Sequence, residues 1–369
     1  MNLLELTRLS NKYGSNEQYV LAGGGNSSYK EDGLLFVKGS GVAMAHIKPE
    51  QFVGMDMGAL MAMLTKQYPD DDAKRETMAL EDMTAAKLPG QDGKRPSVEA
   101  ILHALFPQKF VMHTHPALVN GLSCAKYGER ACRDIFGGDV VWVPLTKPGY
   151  ILARVCRDLF ERHKAAAGRF PQMVILQNHG LFVAADTPGE IDRLSEWLMG
   201  KLSEKIFERA DFSGLTFDSE QADVFSSKLR KIHPEAATVI FCTNKEVLEV
   251  ASSEKRILEL IAPFTPDHIV YCKHTPLVVE DAADIENKAC QYIRLHGFPP
   301  RVVIVRELGF FALGVSGQEA QAAKALFLDA IMIALHTRAF GGVSPLPDDF
   351  TRFILDWEAE TYRQKTLLG

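Results

Sequence analysis

The chain has 369 residues, 46% of them hydrophobic and 24% charged, which is ordinary usage for a folded protein of about two domains. The formal net charge of -6, without any Lys/Arg run, argues against nucleic-acid binding, and no apolar stretch reaches the roughly 18 residues of a membrane-spanning helix. The six cysteines are too few for a disulfide scaffold and form no C-x-x-C pair, and early charges exclude a signal peptide. These features predict a cytoplasmic protein that binds neither nucleic acid nor membranes.

The first part of the chain predicts two helices around a glycine-rich hairpin region. In chain order, the predicted elements are a helix ending near Tyr13-Gly14, a strand entered from Gly23–Lys30, a hairpin turn at Asp32-Gly33, a strand over Leu34–Lys38, a glycine loop at Gly39–Gly41 and helical patterning over Pro49–Gln67. Residues 68–94 are charged and weakly patterned, which predicts a long loop with room for one helix.

Strands and helices alternate from residue 97 onward. The predicted elements are a helix over Ser97–Leu105 with Ser97 as its N-cap, a strand over Phe110–His115, a helix over Ala117–Tyr127, a strand over Val140–Pro144, a helix over Ile151–Ala167, a strand over Met173–Gln177 continued by Gly180–Ala184, and a helix over Pro188–Arg209. With a boundary at Ala210–Ser219, we expect a first domain over residues 1–215, a second over 216–345 and a helical tail over 346–369.

The chain resembles itself at an offset of 129 positions (239 minus 110). At this offset the aligned segments are Phe110–Pro116 with Val239–Lys245, Val140–Trp142 with Ile269–Tyr271, and Val174–Phe182 with Val303–Phe311. The apolar residues persist, but Glu99, His113, His115 and His179 become Lys228, Cys242, Asn244 and Leu308. A duplicated domain relieved of catalysis keeps its core and loses its reactive residues. The four lost residues are therefore predicted to form one site in the first copy.

The three histidines have the pattern of a metal site. His113 and His115 are two residues apart on a predicted strand, so both side chains point to one face, and His179 lies in a turn at another strand end. Three imidazoles that leave a fourth position open are typical of catalytic zinc. Glu99 is predicted at the start of a helix, either as a fourth ligand, as a general acid/base, or as a carboxylate that complements the helix dipole.

Two loops near the N-terminus are candidates for holding an anion. Asn26 and Ser28 follow three glycines, and Lys38 precedes Ser40 and Gly41. Such loops can offer backbone N–H groups, hydroxyls and one ammonium group to a phosphate or carboxylate. The alternative is that they are ordinary hairpin turns.

These motifs together resemble the class II aldolase/adducin family, which includes fuculose- and rhamnulose-phosphate aldolases. The motifs are Gly25-Asn26-x-Ser28, Lys38–Gly41, Ser97-x-Glu99-x-x-x-His103, His113-x-His115-Pro116 and Asn178-His179-Gly180. The spacing from Glu99 to the histidine pair is most similar to the aldolase portion of rhamnulose-1-phosphate aldolase/alcohol dehydrogenase fusions. No Gly-x-x-x-Gly-x-Gly dehydrogenase module is present, so the chain is expected to correspond to that aldolase portion.

The resemblance implies a three-layer αβα fold with a mixed central sheet, followed by a degenerate second copy. It implies zinc on the three histidines and Glu99 as the acid/base residue in cleavage of a ketose or ketose phosphate through a metal-stabilised enediolate. Asn26, Ser40, Gly41 and Ser97 match positions that line the phosphate pocket. Val98 and Lys38 depart from that pattern, which leaves a carboxylate as the alternative anionic group.

Two further expectations follow from the family. Dehydratases, epimerases and decarboxylases share the same metal site, and adducin-like members are non-catalytic, so these are the alternative functions. Family sites lie at subunit contacts, and a tandem copy could replace one neighbour, which predicts a small homo-oligomer, a dimer or a tetramer.

The C-terminal tail carries two aromatic residues, Trp357 and Tyr362. They are expected either to reach a catalytic pocket or, for Trp357, to be buried on the core.

Overall fold

The computed structural model describes residues 2–232 and 238–357, and these divide into two compact units. The first unit comprises the residues up to Ser123 together with Tyr127–Lys205, and the second comprises Cys124–Lys126 and the residues from Ile206 onward. Among the described residues, no helix is both long and apolar enough to cross a bilayer. The predicted tail residue Tyr362 lies outside the described residues.

The first unit is built on a seven-stranded sheet in the order β3-β2-β1-β4-β7-β6-β5. Its strands are β1 (Asn26–Glu31), β2 (Leu34–Lys38), β3 (Phe52–Asp56), β4 (Phe110–Thr114), β5 (Val140–Val143), β6 (Met173–Leu176) and β7 (Gly180–Ala185). Its helices are α1 (Leu3–Gly14), α2 (Met57–Met63), α3 (Asp72–Ala85), α4 (Ala100–Leu105), α5 (Ala117–Ser123), α6 (Gly128–Phe136), α7 (Tyr150–Ala167) and α8 (Pro188–Ser203). β5 and β6 are parallel and the other pairs antiparallel, so the sheet is mixed, as predicted.

Helices cover both faces of this sheet. One apolar cluster joins α2, α3, α4 and α7 to alternate strand residues such as Val111 and Phe182. The intervening residues Met112 and Val183 are buried outside that cluster, and α1, α5 and α8 contact β4 or β7. Because side chains alternate between the two faces of a strand, these three helices form the opposite layer. The predicted three-layer α/β arrangement is therefore confirmed.

Among the local predictions for this unit, one element type and one capping residue were wrong. The segment Pro49–Gln67 is not one helix, because it contains β3, which pairs with β2 before α2 begins. The hydrogen bonds of β3 go to a strand that lies earlier in the chain, and the apolar pattern alone does not reveal that partner. The helix α4 begins at Ala100, so Glu99 rather than Ser97 is its N-cap residue.

The second unit holds a four-stranded sheet in the order β8-β11-β10-β9. Its strands are β8 (Thr238–Cys242), β9 (Leu277–Val279), β10 (Val302–Val305) and β11 (Gly309–Gly314). Its helices are α9 (Ser219–Ile232), α10 (Lys245–Ala251), α11 (Glu254–Leu258), α12 (Pro266–Cys272), α13 (Ile285–His296), α14 (Gly317–Thr337) and α15 (Asp348–Asp356). The order and strand directions match those of β4-β7-β6-β5. In the part of this unit that the structure describes, no strand corresponds to β1, β2 or β3.

The strand pairing of the second unit follows that of the first, with one displacement. β10 and β11 pair in the register of β6 and β7 at an offset of 129 residues (302 minus 173). Phe311, however, lies opposite Phe241, whereas the corresponding Phe182 lies opposite His113. β8 therefore corresponds to β4 at an offset of 128 residues (241 minus 113).

This displacement corrects the predicted equivalents of the histidines. The places of His113, His115 and His179 correspond to Phe241, Thr243 and Leu308. The prediction that Cys242 and Asn244 take the first two places was wrong by one residue, and Leu308 stands as predicted. A one-residue shift moves a side chain to the other face of a strand, so it decides which residues face the site.

The alignment also failed at the strand that corresponds to β5. Ile269–Tyr271 lie in α12, which begins at Pro266. Thr265 is the N-cap of this helix, and its side chain accepts a hydrogen bond from the His268 backbone N–H. The strand β9 follows later and pairs in parallel with β10, as β5 does with β6. The second unit thus carries an inserted helix that the ungapped alignment concealed. At the end of the described chain, α15 occupies part of the predicted tail helix, and the ring of Trp357 stacks on Phe353.

Candidate active site

The three histidines of the first unit meet at the ends of β4 and β6. His113 Nε2 lies 2.9 Å from His115 Nε2, and the ring of His179 lies 5.0 Å from that of His113 between centroids. One ligand atom from each histidine lies within 4.8 Å of the others. His113 is fully buried, whereas His115 and His179 are half-buried. The sequence prediction that these residues share one location agrees with this geometry.

The backbone fixes the orientation of the His113 ring at the end of β4. His113 Nδ1 lies 3.0 Å from Leu181 O, so this nitrogen donates and Nε2 is left as the acceptor that faces the cluster. The His113 ring also stacks on Phe182, with centroids 4.0 Å apart. The His115 backbone N–H donates to Tyr19 O at 2.9 Å. A ring fixed in the way of His113 presents its free nitrogen to a metal with little reorganisation.

His179 is placed by a strained turn between β6 and β7. Asn178 has a left-handed backbone with φ of 56°, and its N–H donates to Ser123 O at 3.2 Å. The His179 N–H then donates to Leu176 O, which turns the chain back into the sheet. Gly180 follows, and a Cβ at that position would lie 2.6 Å from His115 Cδ2. A glycine is therefore required for the ring of His115 to approach the turn.

Glu99 completes the cluster from the N-cap of α4. Its Oε2 lies 3.4 Å from His113 Nε2, and its Oε1 lies 3.7 Å from His179 Nε2. Oε2 accepts a hydrogen bond of 2.6 Å from Asn26 Nδ2, whereas Oε1 is buried with no hydrogen-bond partner among the described residues. Three imidazole nitrogens beside a buried carboxylate oxygen of this kind fit a divalent cation such as zinc.

His103 extends this hydrogen-bond chain through Asn26 and other residues of strand β1. Its Nε2 hydrogen-bonds to Asn26 Oδ1, its Nδ1 lies 2.7 Å from Ser28 Oγ, and its carbonyl accepts from Lys30 Nζ at 2.7 Å. Burial, followed by the nearby Lys30 charge, lowers the pKa of His103 well below its usual value, so the ring is neutral. Burial likewise lowers the pKa of Lys30 to about 7.

Sequence reasoning included His103 in a motif but did not predict it as a site residue. The available signal was its spacing from Glu99, because residues four apart on a helix lie on one face. The signal was weak because α4 has only six residues and Glu99 lies at its cap.

The predicted anion-binding residues fall into two groups. Asn26 and Ser28 belong to the hydrogen-bond chain of Glu99 and His103, and Ser97 Oγ accepts from the Glu99 N–H at 3.3 Å. Ser40 and Gly41 lie in a separate loop that follows Lys38, the last residue of β2.

The second group lies beside the segment that leads to Glu99. Gly39 bridges Pro96, and the Ser40 N–H donates to Arg95 O at 2.8 Å. The buried Lys38 Nζ donates to Val42 O at 2.7 Å, so its ammonium group holds the loop in shape. Gly41 has a left-handed backbone with φ of 80°. The structure therefore brings Lys38–Ser40 against Arg95–Ser97, the segment that precedes Glu99 in the chain.

Comparison with known proteins relates this chain to others. Residues 4–199 match the family model described as Class II Aldolase and Adducin N-terminal domain. The uncharacterized oxidoreductase YuxG of Bacillus subtilis is 24% identical over an alignment of 408 positions. The alignment covers 97% of this chain and 58% of that protein. The chain thus spans little more than half the length of this curated relative.

Two solved structures are also similar. The N-terminal class II aldolase domain of a conserved Thermoplasma acidophilum protein is 24% identical, with a TM-score of 0.47 and coverage of 55% of this chain and 93% of that one. The l-fuculose-1-phosphate aldolase of Thermus thermophilus is 16% identical, with a TM-score of 0.34 and coverage of 55% and 88%.

Proposed function

Because the chain belongs to the class II aldolase and adducin family, we propose that it is a zinc-dependent aldolase that cleaves a carbon–carbon bond of a ketose or ketose phosphate. The observation that carries the proposal is the meeting of the three imidazoles with Glu99, whose Oε1 is buried without a hydrogen-bond partner among the described residues. A carboxyl group kept beside a metal-binding cluster is suited to proton transfer.

The histidines and Glu99 have separate roles in this proposal. His113, His115 and His179 would hold the ion, each through one ring nitrogen. When bound, a divalent ion supplies Lewis-acid stabilisation of the negative charge that develops on substrate oxygen during carbon–carbon cleavage. As the carbon–carbon bond breaks, the hydroxyl that becomes the aldehyde carbonyl releases its proton to solvent, and Glu99 in its protonated form delivers a proton from Oε1 to the carbon left at the broken bond. In the condensation direction the Glu99 carboxylate removes that proton.

The surroundings of Glu99 support this role. Asn26 Nδ2 holds Oε2 at 2.6 Å, so the carboxylate has one orientation. Glu99 is 5% exposed, which limits competing proton exchange with water. We place the anionic end of the substrate where the Ser40-Gly41 loop adjoins Ser97, because the backbone joins these two segments beside Glu99. A phosphate and a carboxylate both suit such a position.

The test of the function begins with the wild-type chain and one variant. Purified protein should contain about one zinc or similar divalent ion per chain, and it should release an aldehyde and a ketone fragment from at least one member of a panel of ketose 1-phosphates and free ketoses. Glu99→Gln should keep the metal and lose about 10²–10⁴-fold in kcat, because it removes the proton carrier without removing a ligand. Glu76→Gln is the matched control, because Glu76 is also buried and hydrogen-bonded but belongs to the Tyr150 backbone contact.

The alternatives give different results in the same assays. Loss of water, inversion at a carbon centre, or release of carbon dioxide from 3-keto acids would identify a dehydratase, an epimerase or a decarboxylase. A protein that binds no metal and converts no substrate would fit the adducin-like, non-catalytic alternative. Metal loss in Glu99→Gln would make Glu99 a ligand and assign the proton transfer elsewhere.

Two finer relations belong to this proposal. We propose that the chain corresponds to the aldolase portion of rhamnulose-1-phosphate aldolase/alcohol dehydrogenase proteins, since 97% of it aligns with only 58% of a relative named as an oxidoreductase. The chain alone should then cleave rhamnulose 1-phosphate and show no NAD-dependent alcohol oxidation. We also propose a homodimer or homotetramer, which light scattering would reject if the chain is monomeric at assay concentration.

A further inference from the structure

The His103 imidazole is fully buried, yet both of its ring nitrogens and the carbonyl of the same residue contact residues of β1. Asn26, Ser28 and Lys30 alternate along this strand and therefore point to one face. His103 lies across that face, and its ring also meets the ring of Phe182 edge to face at 5.4 Å. Both ring nitrogens of this buried histidine therefore have a partner on β1, and these two contacts fix the ring in one orientation.

The direction of each hydrogen bond follows from the carboxylate at one end of the chain. The Asn26 amide donates from its nitrogen to Glu99 Oε2, at 2.6 Å, and therefore turns its oxygen to His103. His103 Nε2 must then carry the proton and donate to Asn26 Oδ1. Its Nδ1 is left to accept from the Ser28 hydroxyl at 2.7 Å. A neutral ring in one tautomer satisfies every contact.

We infer that His103 is a positioning residue for the chemistry at Glu99. Its Nε2–H holds the Asn26 amide in the orientation that donates to Glu99 Oε2, and Glu99 Oε1 is thereby kept as the oxygen that faces the substrate. Ser28 acts one step further back, by fixing the tautomer of His103. Lys30 anchors the same residue through its carbonyl, one of the last carbonyls of the short helix α4, which lack partners within the helix. The inference rests on the proposed proton-transfer role of Glu99.

Asn26 occupies the position where this orientation matters most. It lies opposite His113 in the β1–β4 pairing, so its side chain reaches Glu99 from beside the histidine cluster. If the amide rotated by half a turn, its oxygen would face the carboxylate, and two acceptors would be in contact. Only a donor at His103 Nε2 makes the productive orientation the stable one.

Two substitutions at His103 separate positioning from packing. His103→Leu removes the donor, whereas His103→Gln retains an amide N–H at a similar distance from the backbone. His103→Leu should lower kcat by about 10–100-fold, as is typical for partners of active-site groups, with KM and metal content unchanged. His103→Gln should recover most of that loss. Equal kcat values in the two variants, or full activity in His103→Leu, would overturn the inference.

A matched pair on β1 provides the second comparison. Ser28→Ala removes the hydroxyl that meets His103, and Ser27→Ala removes a hydroxyl that bonds to Ser10 at 2.6 Å on the other face of the strand. Both serines are fully buried, so both variants should lose a similar amount of thermal stability. Only Ser28→Ala should lower kcat. A similar decrease in Ser27→Ala would show that the effect arises from strand stability.

A readout independent of turnover keeps this inference separate from the proposed function. In ¹⁵N-histidine NMR of the metal-loaded protein, the resonances missing in His103→Gln identify His103. They should report a neutral ring protonated at Nε2, and Ser28→Ala should shift its Nδ1 resonance. Protonation at Nδ1 would overturn the inference even in an active enzyme. If the wild-type chain cleaves no ketose, the aldolase proposal fails, while the tautomer result still decides whether the hydrogen-bond chain exists.

Discussion

The sheet of the second unit and the matching half of the first sheet share their strand order but differ in chemistry. In each sheet, the turn that leads into the second strand of the hairpin, β7 or β11, contains a non-glycine residue with a left-handed backbone. Asn178 has φ of 56° and Glu307 has φ of 59°. In each turn that residue donates its N–H to the carbonyl that ends a neighbouring helix, Ser123 or Ala251. Because the strain is present without the histidines, it belongs to the fold and is not a mark of catalysis.

The difference lies in which side chains occupy equivalent places. In the first unit, His113 stacks on Phe182, and in the second unit Phe241 packs on Phe311 with ring centroids 4.9 Å apart. The same scaffold position therefore accepts either a metal donor or an apolar ring. The described second unit also has no strand beside β8 in the position of β1, so it has no counterpart of Asn26. The first unit therefore combines a scaffold that both sheets share with three additional strands, β1, β2 and β3.

Converting the first cluster into the second should have the largest effect. The variant is His113→Phe, His115→Thr and His179→Leu, combined with Glu99→Gln so that no carboxylate is buried against apolar side chains. It should retain its secondary structure, lose all bound metal and lose about 10³-fold or more of its turnover. Elemental analysis and circular dichroism check the outcome, with Glu99→Gln alone as the control. Retention of the metal would show that the ligands lie elsewhere.

The reverse conversion tests the strand correspondence. Phe241→His, Thr243→His and Leu308→His should add a second metal equivalent per chain, because these positions match the native ligands in register. The control variant Cys242→His, Asn244→His and Leu308→His should add none, since its first two side chains are shifted by one residue. Metal titration distinguishes the two. Binding by the control variant instead of the first would disprove the one-residue displacement.

The glycines that follow the two turns should show the smallest difference. A Cβ on Gly180 would lie 2.5 Å from Thr114 O, and a Cβ on Gly309 would lie 2.5 Å from Cys242 O. Each alanine substitution should therefore lower the free energy of unfolding by about 1–3 kcal/mol. Only Gly180→Ala should also weaken metal binding, because its Cβ meets the ring of His115. Denaturant unfolding and zinc titration measure the two effects, and equal metal affinity in both variants would separate the turn from the site.

Much of the fold could be predicted where local sequence and tertiary structure agree. Residues 34–38 form a strand after the turn at Asp32 and Gly33, which have φ of 52° and 77° as a tight hairpin requires. α7 extends to Ala167, and its C-cap Gly168 is left-handed. The histidine cluster was also predictable, since two members share a strand face and the third lies in an adjacent turn.

Features that depend on distant partners were not predictable from the sequence. β3 reads as helix until its pairing with β2 is known, and Ile269–Tyr271 read as strand although Thr265 starts a helix before them. The displacement of β8 is set by hydrogen bonds to β11 and leaves no local signature. The contact of Ser28 with His103 was not predicted for the same reason, because the two residues lie 75 positions apart in the chain.

The strands β1, β2 and β3 keep the proposed anion handle apart from the histidine cluster. These strands and the loops around them contribute the candidate handle for the substrate's anionic end, whereas the histidines come from strands and turns that both sheets possess. Under the proposed placement of the anionic end, substitutions in the Ser40-Gly41 loop alter which substrates are accepted and leave the metal ligands untouched. The proposed anion handle and the histidine cluster are thus carried by different stretches of the chain.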